Sequence, residues 1–414
     1  MKQSSSTILI VSYYFPPNPV VGSRRWAKYG KVLQENGVDV HVIAAKTNAE
    51  KSPWDEDMKG LNVDYVPGGY PAALDDWGEK SIWQKLKYKW ADKMVKTRVT
   101  GMPYDRSVFW GNALKKKLRA KIISDKISHV IVSTPPHRSA FFVASLKEEF
   151  PHVQFMVDFR DPWTWGSFRE YPYLKGTNRR REEEMEKFVI TKMDRIIVPV
   201  EKMLQSLPEH DAATNEKLYW LPAAFDQDDF KKVSIQHKPV DNGPIRFIYF
   251  GSLYDNLDDH FQQIAQAIAE ADRNIRFDIY SNSTAYQAIF KEHGVEEQVF
   301  YHQPLPSREI FQQVTQANYV FLFKPYEYGK DNVSTKYFEI IQSRTPIILI
   351  GEKGMASDFV LDNQLGVHAE VSAAKQLIQS LVDRTKTIEY NAGFDVRPYS
   401  FQALGKKMIS DLLA

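Results

Sequence analysis

Short apolar runs rich in β-branched and aromatic residues alternate with segments of helical period over nearly the whole chain of 414 residues. This alternation is typical of parallel sheets built from strand–helix–strand units. The first half predicts strands at Ile8–Val11, Val38–Ala44, His129–Ser133, Gln154–Asp158, Arg195–Val198 and Lys217–Leu221. The second half restarts the pattern, with strands at Ile245–Phe250, Arg276–Tyr280, Gln298–Tyr301, Tyr319–Phe323 and Pro346–Ile350. The chain is therefore expected to belong to the α/β class.

The two series of strands predict two domains. A length of 414 residues exceeds what a single hydrophobic core usually serves. Between the series, residues 222–244 turn polar and lose their periodicity, as expected of a linker. We therefore expect an N-terminal domain over residues 1–222 and a C-terminal domain over residues 223–394. Two helices are also predicted: one from Ser23 to Asn36, stopped by Gly37, and a last one over residues 400–414.

Charge and composition exclude several classes of protein. Lys and Arg number 54 against 52 Asp and Glu, and the resulting net charge of +2 does not indicate nucleic-acid binding. The chain has no cysteine, which rules out disulfides, thiolate zinc sites and a cysteine nucleophile. The first apolar run is too short for a signal peptide, and no stretch approaches the ~20 apolar residues of a membrane span. We expect a cytoplasmic protein, at most peripheral on the inner membrane face.

A proline-rich loop after the first predicted strand closes on Gly22 and enters a helix. Glycine lets the backbone approach a ligand closely, and the free N–H groups of a helix N-terminus favour an anion. Arg24 and Arg25 add positive charge at that point. The loop is therefore a candidate acceptor or phosphate site, although an ordinary strand-to-helix turn with two solvated arginines has the same pattern. The G-x-G-x-x-G dinucleotide fingerprint is absent.

Two further polar clusters follow predicted strands of the first half. In open α/β sheets, ligands gather at the carboxyl ends of the strands. The side chains of both clusters are therefore predicted to orient an acceptor hydroxyl or to pair with a phosphate. Ion pairing within the second cluster, or capping of the next helix, is the alternative. The candidates are His137, Asp158, Arg160 and Asp161.

The most specific stretch runs from residue 321 to residue 339. A predicted strand ends at Phe323, a polar loop follows, and Ser334 or Thr335 can cap the next helix. N–H groups at that helix N-terminus can cradle a diphosphate. Glu339, one turn inside, can accept both hydroxyls of a ribose, and Asp331 can hold hydroxyls of a transferred sugar. Two carboxylates that face solvent are the alternative.

Taken in order, six motifs resemble glycosyltransferase family 4 from residue 8 to about residue 405. They are the motifs that begin at Tyr14, Ser133, Asp158, Leu221, Tyr249 and Ser334, the first of them with Gly22. The resemblance implies a GT-B fold, in which two Rossmann-like domains face each other across a cleft. It also implies that residues 395–414 cross back onto the first domain. The reaction it implies is a retaining transfer from a nucleotide sugar held mainly by the second domain.

The resemblance also assigns roles to particular residues. The Glu-x7-Glu motif of the family maps onto Asp331 and Glu339, so the first acid is one methylene shorter here. The expected catalytic residues are Asp331, Asp161, Arg160 and His137. The expected donor-binding residues are Glu339, Gly251, Ser334, Thr335, Lys336, Lys330 and Gly329, and the acceptor or phosphate loop comprises Gly22, Arg24, Arg25 and Asp158.

One feature of the family is missing. Many members carry an Arg and a Lys shortly after the glycine of the first C-domain strand, but residues 251–258 contain neither. A phosphoryl leaving group needs electrostatic stabilisation as its charge develops. The candidate replacements are Lys330, Lys336, Arg308 and Arg25.

No metal or other cofactor is expected, and the nucleotide sugar is a co-substrate. Residues 55–57 and 226–228 both spell Asp-x-Asp, the metal–diphosphate signature of the other main glycosyltransferase fold. Neither lies where a donor loop is expected, and a solvated charged loop explains both. The histidines show no metal-ligand spacing.

Residues 79–103 carry a different pattern, in which Trp, Leu and Ile interleave with Lys. At helical spacing, Ile82, Leu86, Trp90 and Met94 share one face. Trp and Lys together suit an anionic membrane interface, so this segment is a candidate membrane contact. An amphipathic insertion packed on the first domain is an equal alternative.

These patterns lead to one expected function and two alternatives. We expect a retaining glycosyltransferase of bacterial surface polysaccharide biosynthesis, acting on a glycan or a polyprenyl-diphosphate-linked acceptor. A nucleotide-sugar epimerase has the same architecture but acts on the nucleotide sugar alone. A catalytically silent GT-B subunit that binds a partner transferase is suggested by the missing Arg and Lys. Nucleic acid is not an expected partner.

Overall fold

The chain forms two compact units in the computed structural model. Unit 1 comprises Met1–Pro222 and Phe401–Ala414, and unit 2 comprises Ala223–Ser400. The residues that the structure describes are 6–52, 54–74, 81–164, 173–200, 203, 212–230, 243–271, 274–324 and 332–413.

Unit 1 is built on a parallel sheet of seven strands. They are β1 (Thr7–Ser12), β2 (Asp39–Ala45), β3 (Asn62–Val66), β4 (His129–Thr134), β5 (Gln154–Phe159), β6 (Arg195–Val198) and β7 (Leu218–Trp220). Their order in the sheet is β3-β2-β1-β4-β5-β6-β7. Ile8–Val11 and Val130–Val132 are fully buried, because helices cover both faces of such a sheet.

In the described part of unit 1, helices follow most of these strands. They are α1 (Arg24–Glu35), α2 (Ile82–Arg98), α3 (Gly111–Ser124), α4 (Arg138–Ala144), α5 (Gly176–Lys192) and α6 (Ala212–Lys217). Helix α1 buries Trp26, Tyr29 and Leu33. It ends where predicted, because Gly37 adopts φ +88° and its N–H donates to the Gln34 carbonyl at 3.0 Å.

Unit 2 repeats the architecture with six parallel strands in the order β10-β9-β8-β11-β12-β13. The strands are β8 (Ile245–Phe250), β9 (Ile275–Tyr280), β10 (Val299–His302), β11 (Tyr319–Lys324), β12 (Ile347–Gly351) and β13 (Gly366–Ala369). The helices are α7 (Asp258–Ala269), α8 (Gln287–Glu292), α9 (Ser307–Thr315), α10 (Thr335–Ser343), α11 (Met355–Asp362) and α12 (Ala374–Val382).

Two strands and part of the linker differ from the sequence prediction. Strands β3 and β13 were not predicted; both lie at the edge of a sheet, where a strand needs fewer apolar residues. The predicted linker over residues 222–244 is packed at its start, because Phe225 and Phe230 are buried and the Phe230 ring lies 4.4 Å from that of Phe311. Residues 231–242 lie outside the described part of the chain.

The last helix, α13 (Phe401–Leu412), belongs to unit 1. Its Phe401 ring packs edge-on against Tyr29 of α1, with 4.9 Å between ring centroids. The hydroxyl of Ser6 donates to the Leu413 carbonyl at 2.6 Å, and the Tyr219 hydroxyl donates to the Asp411 carboxylate at 3.1 Å. The chain therefore completes its first unit with its final helix.

Helix α2 packs through a narrow face and leaves large apolar side chains in solvent. Ala91 and Val95 are buried with Leu74 and Val99, whereas the predicted apolar face is mostly open. The exposed fractions are 77% for Ile82, 75% for Trp83, 52% for Leu86 and 70% for Trp90. Among the described residues, no helix combines the length and apolar character needed to cross a membrane.

We predict that Gly405→Leu destabilises unit 1. A Cβ atom at position 405 would lie 2.6 Å from Cγ1 of Val32, so a larger side chain must push α13 away from α1. Overpacking of this kind costs about 1–3 kcal/mol of unfolding free energy, which urea denaturation measures. Gly393→Leu, at an exposed position, is the control. Equal midpoints for the two variants would contradict the close packing of α13 on α1.

Candidate active site

In each sheet, the order of the strands reverses between two neighbours. The reversal lies between β1 and β4 in unit 1 and between β8 and β11 in unit 2. Connections leave such a point toward opposite faces of the sheet, which opens a crevice at the carboxyl ends of the strands. In both units, most of the predicted site residues follow the carboxyl end of a strand.

In unit 2, Gly251 and Lys336 meet at the end of β8. The N–H of Gly251 donates to the Tyr280 carbonyl at 3.0 Å, and φ at Gly251 is +121°, a value that favours glycine. The Lys336 ammonium donates to the Phe250 carbonyl at 2.7 Å. A Cβ atom on residue 251 would lie 2.5 Å from Lys336 Nζ. Glycine is therefore required here both by the backbone and by the lysine.

The N-terminus of α10 lies at the same place. Ser334 is its N-cap residue with extended backbone, but its side chain makes no capping hydrogen bond. Thr335 begins the helix, and Glu339 follows one turn later, half-buried. Burial lowers the pKa of Lys336 to about 8, against an opposing effect of Glu339. The N-terminus of α10, Lys336 and Glu339, all predicted donor-site positions, thus lie close together.

A second lysine, Lys324, lies at the end of β11 and was not among the predicted site residues. The Lys324 ammonium donates to the Asn332 carbonyl at 2.6 Å and lies 5.1 Å from the centre of the Tyr337 ring. Burial, together with the charge of Lys336, lowers its pKa to about 7. The signal available in the sequence is a lysine at the end of an otherwise apolar strand.

Two buried polar groups near these lysines lack hydrogen-bond partners among the described residues. They are the hydroxyl of Tyr337, which is 1% exposed, and both ring nitrogens of His260, which is 5% exposed. Burial lowers the pKa of His260, so its ring is neutral at neutral pH. The His260 ring lies 5.7 Å from that of Phe323, the residue before Lys324. Unsatisfied buried groups of this kind often mark a site that a ligand completes.

Three predicted residues of unit 2 lie outside the described part of the chain. They are Gly329, Lys330 and Asp331. Their roles in donor binding and catalysis stay predictions. Arg308, a candidate for the diphosphate, is exposed on α9.

In unit 1, Arg25 and Asp158 form a buried ion pair. Arg25 Nε donates to the Asp158 carboxylate at 3.1 Å, and its two Nη atoms donate to the carbonyls of Leu221 and Pro222 at 2.9 and 3.2 Å. The same carboxylate oxygen accepts a 2.7 Å hydrogen bond from Trp26 Nε1. These contacts give both charged groups a structural role, and their assignment to an acceptor or phosphate stays a prediction.

Arg160 connects three loops through backbone carbonyls. Its guanidinium donates to Thr134 at 2.9 Å, Gly22 at 2.5 Å and Pro135 at 3.0 Å. A Cβ atom on residue 22 would lie 2.5 Å from Arg160 Nη1, so Gly22 leaves room for this guanidinium. Arg160 therefore joins the ends of β1 and β4.

The remaining candidate residues of unit 1 are His137, Arg24 and Asp161. His137 is 1% exposed and stacks on Trp163 with 5.3 Å between ring centroids. Arg24 Nε donates to Asp57 at 2.7 Å, while Asp161 is half-buried after β5. The structure thus places Arg24 in an ion pair away from Asp158, and Asp57 is buried rather than solvated.

A cavity of about 1020 Å³ opens at the ends of β1 and β4. Its charged lining residues are Lys46, Arg106 and Asp105. Seven of its nineteen lining residues are aromatic or proline: Tyr13, Tyr14, Pro19, Tyr70, Tyr104, Pro135 and Pro136. Tyr104 also donates to Asp92 of α2 at 2.7 Å, and Tyr70 packs on the buried face of that helix. Two residues of the cavity wall, Tyr70 and Tyr104, therefore connect the cavity to α2.

Solved structures share this architecture over the full chain. The apo form of the lipopolysaccharide outer core galactosyltransferase WaaB aligns over 98% of this chain and 99% of its own, with a TM-score of 0.60 and 11% identity. HepE from Anabaena in complex with UDP aligns over 98% and 99%, with a TM-score of 0.61 and 11% identity. A proposed UDP-N-acetylglucosamine 2-epimerase from Listeria monocytogenes aligns over 98% and 95%, at 0.55 and 10%. No protein-family model and no curated protein sequence matches the chain.

The fold is therefore the α/β GT-B fold that the sequence resemblance implied, and this prediction is confirmed. At identities of 10% and 11%, the likeness concerns the fold alone, because one fold hosts many reactions.

We predict that Asp158→Asn destabilises the protein strongly. The change leaves the Arg25 guanidinium half-buried without its counter-charge, and breaking a buried ion pair costs about 3–5 kcal/mol. Urea denaturation measures the loss. Asp395→Asn breaks an exposed Asp–Arg pair with Arg397 and is expected to leave the midpoint nearly unchanged. Similar midpoints for the two variants would show that the Asp158–Arg25 pair does not stabilise the fold, and would favour an acceptor-binding role for Asp158.

Proposed function

We propose that the chain is a retaining glycosyltransferase that moves a sugar from a nucleotide-sugar donor to a glycan or lipid-linked acceptor. The observation that carries the proposal is the convergence of Gly251, Lys336, Glu339 and the N-terminus of α10 at the strand reversal of unit 2. Helix N-termini and ammonium groups favour a phosphate, and Glu339 offers a carboxylate to ribose hydroxyls. UDP bound to Anabaena HepE, which has the same fold, supports a nucleotide at this type of scaffold.

In the proposed transfer, the bond between the anomeric carbon of the sugar and the diphosphate oxygen breaks. A new bond forms from the acceptor hydroxyl oxygen to the same carbon, the hydroxyl proton is released, and the nucleoside diphosphate leaves. Positive groups near the diphosphate stabilise the charge that develops on it. Retention of configuration, a role for Asp331, and transfer without a metal or other cofactor come from the sequence resemblance.

The acceptor is proposed to bind in the cavity of unit 1. Its volume of about 1020 Å³ suits a ligand with several sugar-sized groups, and its aromatic wall suits the apolar faces of sugar rings. Lys46 and Arg106 would attract an anionic acceptor. The fold shared with WaaB, a lipopolysaccharide outer core galactosyltransferase, supports a role in bacterial surface polysaccharide biosynthesis.

We also propose that α2 rests on an anionic membrane surface from the cytoplasmic side. The helix exposes two tryptophans and carries six basic residues, Lys85, Lys87, Lys89, Lys93, Lys96 and Arg98, against one acid, Asp92. This charge balance complements anionic headgroups, and tryptophan prefers the interface. Because Tyr70 and Tyr104 of the cavity wall contact α2, a lipid-linked acceptor could enter the cavity from the membrane surface.

Two other functions have an observation in their favour. The proposed epimerase from Listeria monocytogenes has the same fold, and an epimerase would release a new nucleotide sugar without an acceptor. A silent subunit is favoured by the absence of Arg and Lys from residues 251–258. Product analysis after incubation with the nucleotide sugar alone distinguishes the epimerase from a transferase, because only the epimerase would release a new nucleotide sugar.

We predict that one of UDP, GDP, ADP and CMP binds clearly more tightly than the others in calorimetric titration, and that Glu339→Ala weakens this binding about tenfold or more. The reason is the loss of the carboxylate that accepts the ribose hydroxyls. Glu389→Ala, an exposed carboxylate of unit 2, should change nothing. If none of the four nucleotides binds, the donor-site assignment is contradicted and the catalytically silent subunit is favoured.

For the membrane contact, we expect wild-type protein to co-sediment with vesicles that contain anionic phosphatidylglycerol, and less so as salt rises. The double substitution Trp83→Ser and Trp90→Ser should abolish this binding, whereas Tyr173→Ser, also at an exposed aromatic residue of unit 1, should retain it. Sedimentation without vesicles is measured in parallel. If the double variant changes self-association and leaves vesicle binding intact, α2 is a protein interface and the membrane proposal is wrong.

A further inference from the structure

The strand reversal of unit 2 holds two lysines, Lys324 and Lys336, whose ammonium groups bond to backbone carbonyls. Lys324 ends β11 and Lys336 lies in the first turn of α10, and each donates to one backbone carbonyl. Among the described residues, neither ammonium is within ion-pair distance of a carboxylate. Lysine normally extends its ammonium into water, so two inward-facing lysines side by side need an explanation.

Aromatic rings hold both lysines in place. Lys336 Nζ lies 5.3 Å from the Tyr249 ring and 5.1 Å from the Phe250 ring, while Lys324 lies over Tyr337. These rings fix the direction of the ammonium groups but do not neutralise two positive charges. The groups around them are therefore arranged for an anion that arrives from outside the protein.

The geometry specifies the class of that anion. The N-terminus of α10, whose cap residue Ser334 makes no side-chain bond to it, lies beside Lys336. The first N–H groups of a helix have no partner within the helix and are available to an anion. Gly251 keeps the space near Lys336 free of a side chain. Two ammonium groups and a helix end suit an anion with adjacent charged centres, of which a diphosphate is the common biological form.

We propose that Lys324 and Lys336 together bind the diphosphate of the donor and supply the positive charge that residues 251–258 lack. This inference rests on the proposed function and adds Lys324 to its site. Both lysines touch the bound diphosphate, and their charge stabilises the leaving group when the sugar is transferred.

Proton uptake on binding is a consequence of the proposal. Burial lowers the pKa of Lys324 to about 7 and that of Lys336 to about 8, so near pH 8 the pair is only partly protonated in the free protein. A diphosphate favours the charged forms and draws in protons. Burial raises the pKa of the nearby Tyr249 and Tyr337 and lowers that of His260, so these three stay neutral in this range. The carboxylate that faces the pair is Glu339.

The same pKa shifts affect folding with a defined sign. The folded pKa of each lysine lies below its unfolded value of 10.5, so the unfolded chain binds more protons between about pH 7 and pH 10.5. The contribution of the pair to the free energy of unfolding is thus least favourable below pH 7 and improves as pH rises. Lys324→Met should accordingly be as stable as the wild type or more stable at pH 7.

The test compares nucleoside diphosphates with the matching monophosphates by calorimetry in Tris and in HEPES at pH 8. For the nucleoside that binds, we expect Lys324→Met and Lys336→Met to weaken diphosphate binding about tenfold or more and to reduce its preference over the monophosphate. The proton uptake, seen as a difference in heat between the two buffers, should fall as well. Lys324→Arg should restore part of the affinity. Lys375→Met, which breaks an ion pair with Glu270 elsewhere in unit 2, is the matched control.

The outcomes separate this inference from the proposed function. If the wild type binds a nucleoside diphosphate and both methionine variants, folded by thermal denaturation, keep its affinity and proton uptake, the lysine site is wrong and the function stands. If no nucleotide binds, inorganic pyrophosphate is titrated instead. If the wild type binds pyrophosphate and Lys324→Met does not, the lysine anion site is supported and the nucleotide-sugar donor is wrong. If pyrophosphate does not bind either, both the lysine site and the proposed function are wrong.

Discussion

The parallel direction of every strand is the constraint on which the rest of the structure depends. A parallel strand cannot return directly, so each connection must travel back along the sheet, and most do so as a helix. All strands of a sheet then end at the same edge. The strand order reverses between β1 and β4 and between β8 and β11. At these points neighbouring connections diverge to opposite faces of the sheet and leave a crevice at the carboxyl ends of the strands. In unit 2, Gly251 directly follows β8 and Lys324 ends β11.

The two units use charge differently at these edges. In unit 1, Arg25 pairs with Asp158, and Arg160 is occupied by three backbone carbonyls. These bonds join loops that the sequence places far apart, so they fix the shape of the cavity beside them. In unit 2, Lys324 and Lys336 donate to backbone carbonyls, and the Tyr337 hydroxyl has no hydrogen-bond partner among the residues that the structure describes. Unit 1 thus offers a preformed shape, whereas unit 2 offers charge.

The sequence predicted the fold well because its signals are local. Central strands such as β1 and β4 are continuous apolar runs, and Gly37 marks the end of α1. Strands β3 and β13 escaped prediction because their apolar patterns are short and weak, whereas the edge strands β7 and β10 were predicted. The partners of the site residues could not be predicted either: Arg25 meets Asp158 across 133 positions, and no local pattern records that contact. Lys324 was overlooked for the same reason, since its significance depends on Lys336.

Helix α13 gives the chain an order of assembly. Because Phe401–Ala414 belongs to unit 1 while residues 223–400 form unit 2, the second unit is inserted within the first. On a ribosome, all of unit 2 emerges before the segment that covers Tyr29 and Val32 of α1. The apolar surface of α1 therefore stays open through most of synthesis, and unit 1 acquires its final packing only after unit 2 is available to fold.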